Sequence, residues 1–536
     1  MTLLLAASAF ALSTAVPDSH EEHSHGPQLG QVSFETSCNA GASASFREGL
    51  GWLHSFEYEQ AAQSFAKAAA ADARCAIAQW GTAMSYYHPL WVPPTAAELA
   101  SGRKALATAK TVGAKSQREN DYIAAIETFY RDSEKVGHKD RALAYSAAME
   151  RLHKQYPQDR EAAVFYALSL IAAGTMDSDP NFAKEKQAAA ILNEVLPLNP
   201  DHPGVAHYLI HSFDYPPLAE LALPAARRYA SIAPASAHAQ HMPSHIFTRL
   251  GLWDESIRSN LASEAAAEAM AKAKGFPGAS RERLHAMDYL AYAYLQRGQD
   301  SKAEGVLANL NSIKQVDEPV FSVAYAATAI PVRLLLERKL WREAASLELP
   351  DNVRTLAPLA KFQWAEAHIH FARAIGAARS GDSARAREEV AKLAAIEQAL
   401  VVPAGTYDWR KNVQIERQTA ESWLAYSEGR KVEALRIMRG AADLDDATEK
   451  HPVTPGAILP AREQLGELLV ELGQPAEALA EYEVSLKRAP RRLASLFGAA
   501  RAAKLAGDTT KARAYYASVV DLTRDGDGGR GRMPAP

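Results

Sequence analysis

Residues 459–492 read LPAREQLGELLVELGQPAEALAEYEVSLKRAPRR, and residues 493–526 repeat the pattern. Gly473, Ala478 and Tyr482 of the first unit return as Gly507, Ala512 and Tyr516 of the second, an offset of 34 residues each time. Within a unit, apolar residues recur every three to four positions on both sides of the glycine. This is the pattern of two amphipathic helices joined by a tight turn. Small residues let the two helices approach closely, and large apolar residues on both fill the space between successive hairpins.

Working outward with the inter-helix Gly and the second-helix Ala as anchors, further units appear. The first is 42–75, with Tyr58, Ala61 and Phe65. Others start near Ala76, with a break at Pro93-Pro94, near Gln117, and at Arg160, running to Pro200. Units 203–236 and 237–270 follow directly. The unit 284–317 comes after a 13-residue insertion, AKAKGFPGASRER, and weaker units start near Tyr325, Ala367 and Ile415. With Leu465-Gly466, Leu469, Gly473, Ala478, Tyr482 and Pro490 in place, the chain resembles the tetratricopeptide repeat family over nearly its whole mature length, and 34 residues is that family's period. The stretches CAIAQWGTAMSYYHPLW and HMPSHIFTRLGLWDE are similar to a group of exported bacterial tetratricopeptide proteins.

The resemblance implies an all-α fold, a right-handed α-solenoid of helical hairpins. Its concave groove is lined by the first helix of each pair and is suited to a protein or peptide partner. The expected organisation is a signal peptide over 1–15, a partly disordered segment over 16–41, and repeats over 42–270. Repeats with insertions over 271–442, a loop over 443–458, two C-terminal repeats over 459–526 and a disordered tail over 527–536 complete it.

Two histidine pairs, His207/His211 and His241/His245, are also one repeat apart. Each has i,i+4 spacing, so each projects from one helix face. In the family the second, fifth, ninth and thirteenth positions of the first helix face the groove. Carried over, these slots hold His207 and His211 in one unit, and His238, His241 and His245 in the next. In 284–317 they hold His285, Asp288 and Tyr292, and in the first two units the thirteenth slots are His54 and His88. Eight of the 17 histidines fall there. Imidazoles at i,i+4 can chelate one ion, and adjacent first helices lie close enough for their ligands to converge.

His207, His211, His241, His245, His238, His285 and Asp288 are therefore the candidate metal ligands, with Asp288 as ligand or as a carboxylate orienting His285. Nitrogen donors without sulfur suit Cu, Zn, Fe or Ni. Pro243, between His241 and His245, would kink that helix. A groove of hydrogen-bonding histidines for a peptide or acidic ligand, or a pH sensor, is the competing reading. So is a metal-dependent enzyme with an open coordination position and Asp288, Tyr292 or Tyr208 as acid/base.

His54 and His88 read as structural, the HIH of His368 and His370 as helix surface, and Trp253 and Trp341 as packing. Glu463 follows the loop before the C-terminal repeats; if that loop folds over the groove, His451 and Tyr407 join the site.

The formal net charge of −4 and the lack of a basic stripe give no nucleic-acid footprint. No GxSxG, HExxH, P-loop or dinucleotide fingerprint is present, so no nucleotide cofactor is expected. Nothing after the N-terminus is apolar for long enough to span a membrane. MTLLLAASAFALSTA reads as a secretory signal peptide, which places the chain in the periplasm or outside the cell. There Cys38 and Cys75, the two cysteines, would form a disulfide; the alternative is two buried thiols. His20, His23 and His25 lie in a polar tract that reads as solvated, with loose metal binding the other reading.

Overall fold

The computed structural model describes residues 27–528, apart from Trp91, 177–178, 358 and 404–405. The expected signal peptide, the histidines of the N-terminal tract and the last eight residues lie outside the described residues. Every named element among the described residues is a helix, and the helices stack as hairpins into an all-α solenoid.

The first half comprises α1 (Ala40–His54) with α2 (Tyr58–Ala71), α3 (Ala76–Met84) with α4 (Ala96–Val112), and α5 (Gln117–Tyr130) with α6 (His138–Gln155). Then come α7 (Arg160–Gly174) with α8 (Ala183–Val195), and α9 (Pro203–Phe213) with α10 (Ala219–Ile232). The sixth hairpin has a divided first helix, α11 (Ala237–His241) and α12 (Pro243–Arg249), followed by α13 (Trp253–Ala273). The second half runs α14 (Arg281–Gln296) with α15 (Asp300–Ser312), then α16 (Phe321–Glu337), α17 (Trp341–Ala345) and α18 (Asp351–Leu356). It ends with α19 (Gln363–Ser380) and α20 (Ser383–Ala399), α21 (Trp409–Ser427) and α22 (Lys431–Asp446), α23 (Ala461–Glu471) and α24 (Pro475–Arg488), and α25 (Leu493–Leu505) and α26 (Thr509–Leu522).

The repeat residues do the work their size dictates. Gly473 and Gly507 sit at φ 76° and 83°, the left-handed conformation that ends a helix and that glycine adopts without penalty. Tyr482 of α24 fills the space between α23 and α25. A Cβ on Gly466 would come within 2.9 Å of its ring, and one on Gly498 within 2.1 Å. Cys38 and Cys75 form a disulfide that ties the segment before α1 to the start of α3.

The solenoid curls tightly. α1 packs against α9 and α14 against α25, so first helices several hairpins apart meet across the inner face. Two large hydrophobic cores result, one ending at Phe247 and the other beginning at Ala279. The predicted histidines flank the junction between them: five lie on α9, α11 and α12 at the end of the first core and His285 on α14 at the start of the second, all but the part-buried His238 buried.

Candidate metal centre

Three side-chain caps fix the register of the histidines. His202 caps α9 by accepting from the Val205 amide, and Pro203 supplies a pre-set first residue. Ser236, one repeat later, caps α11 through the Ala239 amide. Ser280 caps α14 through the Arg283 amide. Counted from these caps, the fifth position is His207, His241 and His285, and the ninth is His211, His245 and Tyr289.

This corrects the sequence register by one helical turn at α14. The inserted segment supplies the end of α13, which runs on to Ala273, a connection, and the first turn of the next helix, which begins at Arg281 and not at 284. Asp288 consequently leaves the histidine stripe. It is buried against Arg333, whose Nη1 donates to its Oδ1 at 2.5 Å, and it is not grouped with the imidazoles. Tyr292 turns to Arg492, which donates to its hydroxyl at 3.1 Å. Tyr289 takes the stripe position instead, its ring centroid 4.7 Å from that of His241 and 5.2 Å from that of His245.

The six histidines do not converge on one point. They form two groups, each an i,i+4 pair joined by one imidazole from the next first helix. His207 and His211 of α9 meet His238 of α11, while His241 and His245 meet His285 of α14. In each group one nitrogen from every ring lies within 4.8 Å of the other two. Pro243 breaks the hydrogen-bond ladder between α11 and α12 but not the path of the chain, because Met242 stays right-handed helical at φ −52°, ψ −37°. The rings of His241 and His245 therefore keep i,i+4 contact, with centroids 5.0 Å apart.

The protons can be placed. His241 Nδ1–H donates to Asn260 Oδ1 at 2.6 Å; Asn260 is oriented by donating its own amide to the Ser256 carbonyl. His245 Nδ1–H donates to Asp214 Oδ2 at 2.9 Å. Both Nε2 atoms are then bare acceptors, yet they face each other at 3.0 Å. Two lone pairs at that distance need a cation between them. In the first group His207 Nδ1–H donates to the His54 carbonyl at 2.6 Å, leaving its Nε2 bare at 3.0 Å from His211 Nε2. His238 Nε2 is buried and has no hydrogen-bond partner among the described residues.

A proton is a poor candidate for that cation. Burial, reinforced by neighbouring imidazoles, holds His207, His211, His241 and His285 well below the usual histidine range. Burial also lowers His245, against the opposing pull of Asp214. Asp214 itself stays ionised: burial works against it, but Lys450, Arg249 and His245 more than offset that, and its carboxyl lies below the usual range.

A third cluster shows the contrast. His54 and His202 direct their Nε2–H donors at the two oxygens of Glu161, at 2.9 and 3.0 Å. Tyr208 donates to His54 Nδ1 at 2.9 Å, and His202 Nδ1 takes the Val205 amide. Every nitrogen is matched, so this buried cluster is a structural hydrogen-bond network. It also carries the His54 carbonyl that anchors His207. His88, the other thirteenth-slot histidine, faces Glu98 at 3.8 Å.

Sequence reasoning missed the groups that orient the ligands, Asp214, Asn260 and Glu282, the last lying 3.8 Å from His238 Nδ1. Asp214 stands three residues after His211, a local signal; Asn260, on the second helix of its hairpin, left none. Phe56 was also missed. It has a left-handed backbone at φ 55°, and its ring centroid lies 4.4 Å from that of His207.

No helix among the described residues is long and apolar enough to cross a membrane. No family model and no curated protein matches the chain. Among solved structures it is similar to the human IFIT1 dimer with m7Gppp-AAAA, at 14% identity over 83% of this chain and 90% of that one, with a TM-score of 0.36. It is also similar to Naa15/Naa10 bound to HypK-THB, at 14% identity over 90% of this chain and 70% of that one, with a TM-score of 0.24. What those proteins bind is a property of those proteins.

Proposed function

We propose that the protein binds transition-metal ions on its inner face, one in each histidine group. The observation that carries this is the pair of bare Nε2 atoms of His241 and His245, 3.0 Å apart, with both Nδ1 donors committed elsewhere. With metal–nitrogen bonds of about 2.0–2.1 Å, that separation subtends roughly 90–100° at an ion. Anchoring of the distal nitrogen by a carboxylate, amide or backbone carbonyl is how protein metal sites fix imidazole ligands. All-nitrogen donor sets favour Cu(II) or Zn over Ca or Mg, and carboxylate-free groups fit Fe(II) less well. The disulfide supports residence in an oxidising compartment, as expected for an exported chain.

Elemental analysis of the purified protein beside a His241→Ala/His245→Ala variant tests the reading. Two ions per wild-type chain and one per variant chain are expected. Equal trace metal in both, after loading with Zn(II) or Cu(II), would refute it.

The ligand count favours one second reading. Each group supplies three imidazoles, leaving a fourth position open, as catalytic sites do and closed structural sites do not. An enzyme would use that position for water or oxygen. Azide added to the Cu(II)-loaded protein should then shift the visible spectrum, and a closed site would leave it unchanged.

A further inference from the structure

A cavity lies beside the strap that follows α22. The chain from Glu449 to Gly456 crosses the inner face, held by Arg333, which donates to the Gly456 carbonyl at 2.6 Å, and by Arg249, which donates to Glu449 at 2.7 Å. Between this strap and the first helices α19 and α21 is a cavity of about 130 Å³, roughly the volume of four liquid water molecules. His451 and Tyr407 join this cavity, not the histidine groups. His368, expected on the helix surface, is 3% exposed and lines it.

The donors and acceptors around the cavity do not balance. His368 Nδ1–H donates to Glu416 Oε1 at 2.8 Å. That leaves His368 Nε2 and Glu416 Oε2, both buried and both without a hydrogen-bond partner among the described residues. The cations of the lining are all matched. Arg249 holds Asp214 and Glu449, Arg462 holds Asp443, Asp446 and Glu481, and Arg488 donates to the Thr448 carbonyl at 2.7 Å. Lys450 donates to the Pro452 carbonyl at 3.1 Å and lies 3.9 Å from Asp214. Asp445 accepts the Ala461 amide at 2.9 Å. What the cavity lacks is therefore a donor, and its one unmatched charge is a carboxylate.

Tyr325 meets His368 edge-on at 5.2 Å, and Trp409 stacks on Trp364 at 3.8 Å and on His451 at 5.1 Å. These rings, with Tyr407, give the cavity an apolar wall against which an alkyl stem can pack. Tyr407 and Trp409 are only part-buried, which leaves the space open to solvent.

We infer that this cavity is a binding site for a primary alkylammonium group, its N–H donors shared between Glu416 Oε2 and His368 Nε2 and its stem against the Tyr325, Tyr407 and Trp409 rings. A short free amine and a lysine side chain on a partner peptide present the same head. The inference is independent of metal in the histidine groups.

Propylammonium and its neutral isostere 1-propanol, titrated into the full chain and followed by tryptophan fluorescence and calorimetry, provide the test. Propylammonium is expected to bind at least about tenfold more tightly than 1-propanol, because a charge-assisted hydrogen bond in a buried site is worth more than a neutral one. Glu416→Gln is expected to remove that preference. Equal binding of the two probes, or no saturable binding of propylammonium to wild-type protein, would overturn the assignment, and neither result depends on a variant folding. N-acetyl-lysine methylamide serves as the second arm. Binding as tight as propylammonium assigns the head to a peptide, and failure beside a binding propylammonium assigns it to a free amine.

Discussion

Replacing Asp214 by Asn should weaken one metal site and leave the other alone. The carboxylate accepts from His245 Nδ1 through Oδ2 and from Arg249 Nε through Oδ1, both at 2.9 Å. Asparagine has one oxygen and one amide nitrogen for these two donors. Its oxygen is claimed by the guanidinium, so its NH2 is turned toward His245. The imidazole must then present a bare Nδ1 and carry its proton on Nε2, the nitrogen that faces His241. An ion can bind only by reversing this tautomer. Loss of such an orienting group typically costs 10- to 100-fold in metal affinity, which is about 1.4–2.7 kcal/mol.

The fold should tolerate the change. Arg249 still donates to the Asp214 main-chain carbonyl at 2.9 Å and to Glu449 at 2.7 Å. Competition of Zn(II) against a chromophoric chelator would resolve two classes of site in the wild-type protein. In the variant, the class containing His241, His245 and His285 should weaken by that factor while the His207, His211 and His238 class stays within about threefold. A natively folded Asp214→Asn protein with both affinities unchanged would refute the tautomer argument.

Three further outcomes follow from the same structure. The metal-free protein should lose stability as pH falls through about 6.5. Burial lowers the pKa of His207, His211, His241 and His285 well below the usual range and that of His245 less decisively, so the folded state keeps them neutral while the unfolded chain takes up protons, and the denaturation midpoint should fall with pH. Urea midpoints that match at pH 7.5 and 5.5 would contradict this. Reducing the Cys38–Cys75 bridge, which spans 37 residues, should lower stability by about 4 kcal/mol on the chain-entropy account, readable as a shift in denaturation midpoint with and without reductant. Gly498→Ala would drive a methyl to within 2.1 Å of the Tyr482 ring, and about 1–3 kcal/mol of destabilisation should appear in urea titration; a neutral effect would mean the ring has room to move.

The fold was legible because its signal is repeated. Gly473 and Gly507, Tyr482 and Tyr516, and the two histidine pairs all recur at one spacing, and a repeat needs only its neighbour to define it. The grouping of the histidines was half legible. The i,i+4 pairs projected as expected, but the third imidazole of each group depends on where the next helix starts. At α14 an insertion shifted that start by a turn, which takes Asp288 and Tyr292 off the stripe and puts Tyr289 on it. Ser280, a good cap, was the available clue. The inner-face position of His368 and the strap over it were not legible. They depend on contacts between residues more than a hundred positions apart, such as Arg333 with Gly456, and no local period encodes those.

Imidazole content alone does not separate a candidate metal site from a hydrogen-bond network. His54, Glu161 and His202 approach one another as closely as the six candidate ligands do. The difference lies in which nitrogen the fold has anchored. In the structural cluster the Nε2 donors end on a carboxylate and the Nδ1 acceptors are filled from the other side, so nothing is left over. At His207, His241 and His245 the anchors take the Nδ1 protons, and the Nε2 lone pairs are pushed together. Those anchors come from different places in the winding: the end of α1, the second helix α13 and the loop after α9. The tight curl that brings α1 against α9 thus does more than bury the inner face, because it decides which imidazole nitrogens are anchored and which are left bare.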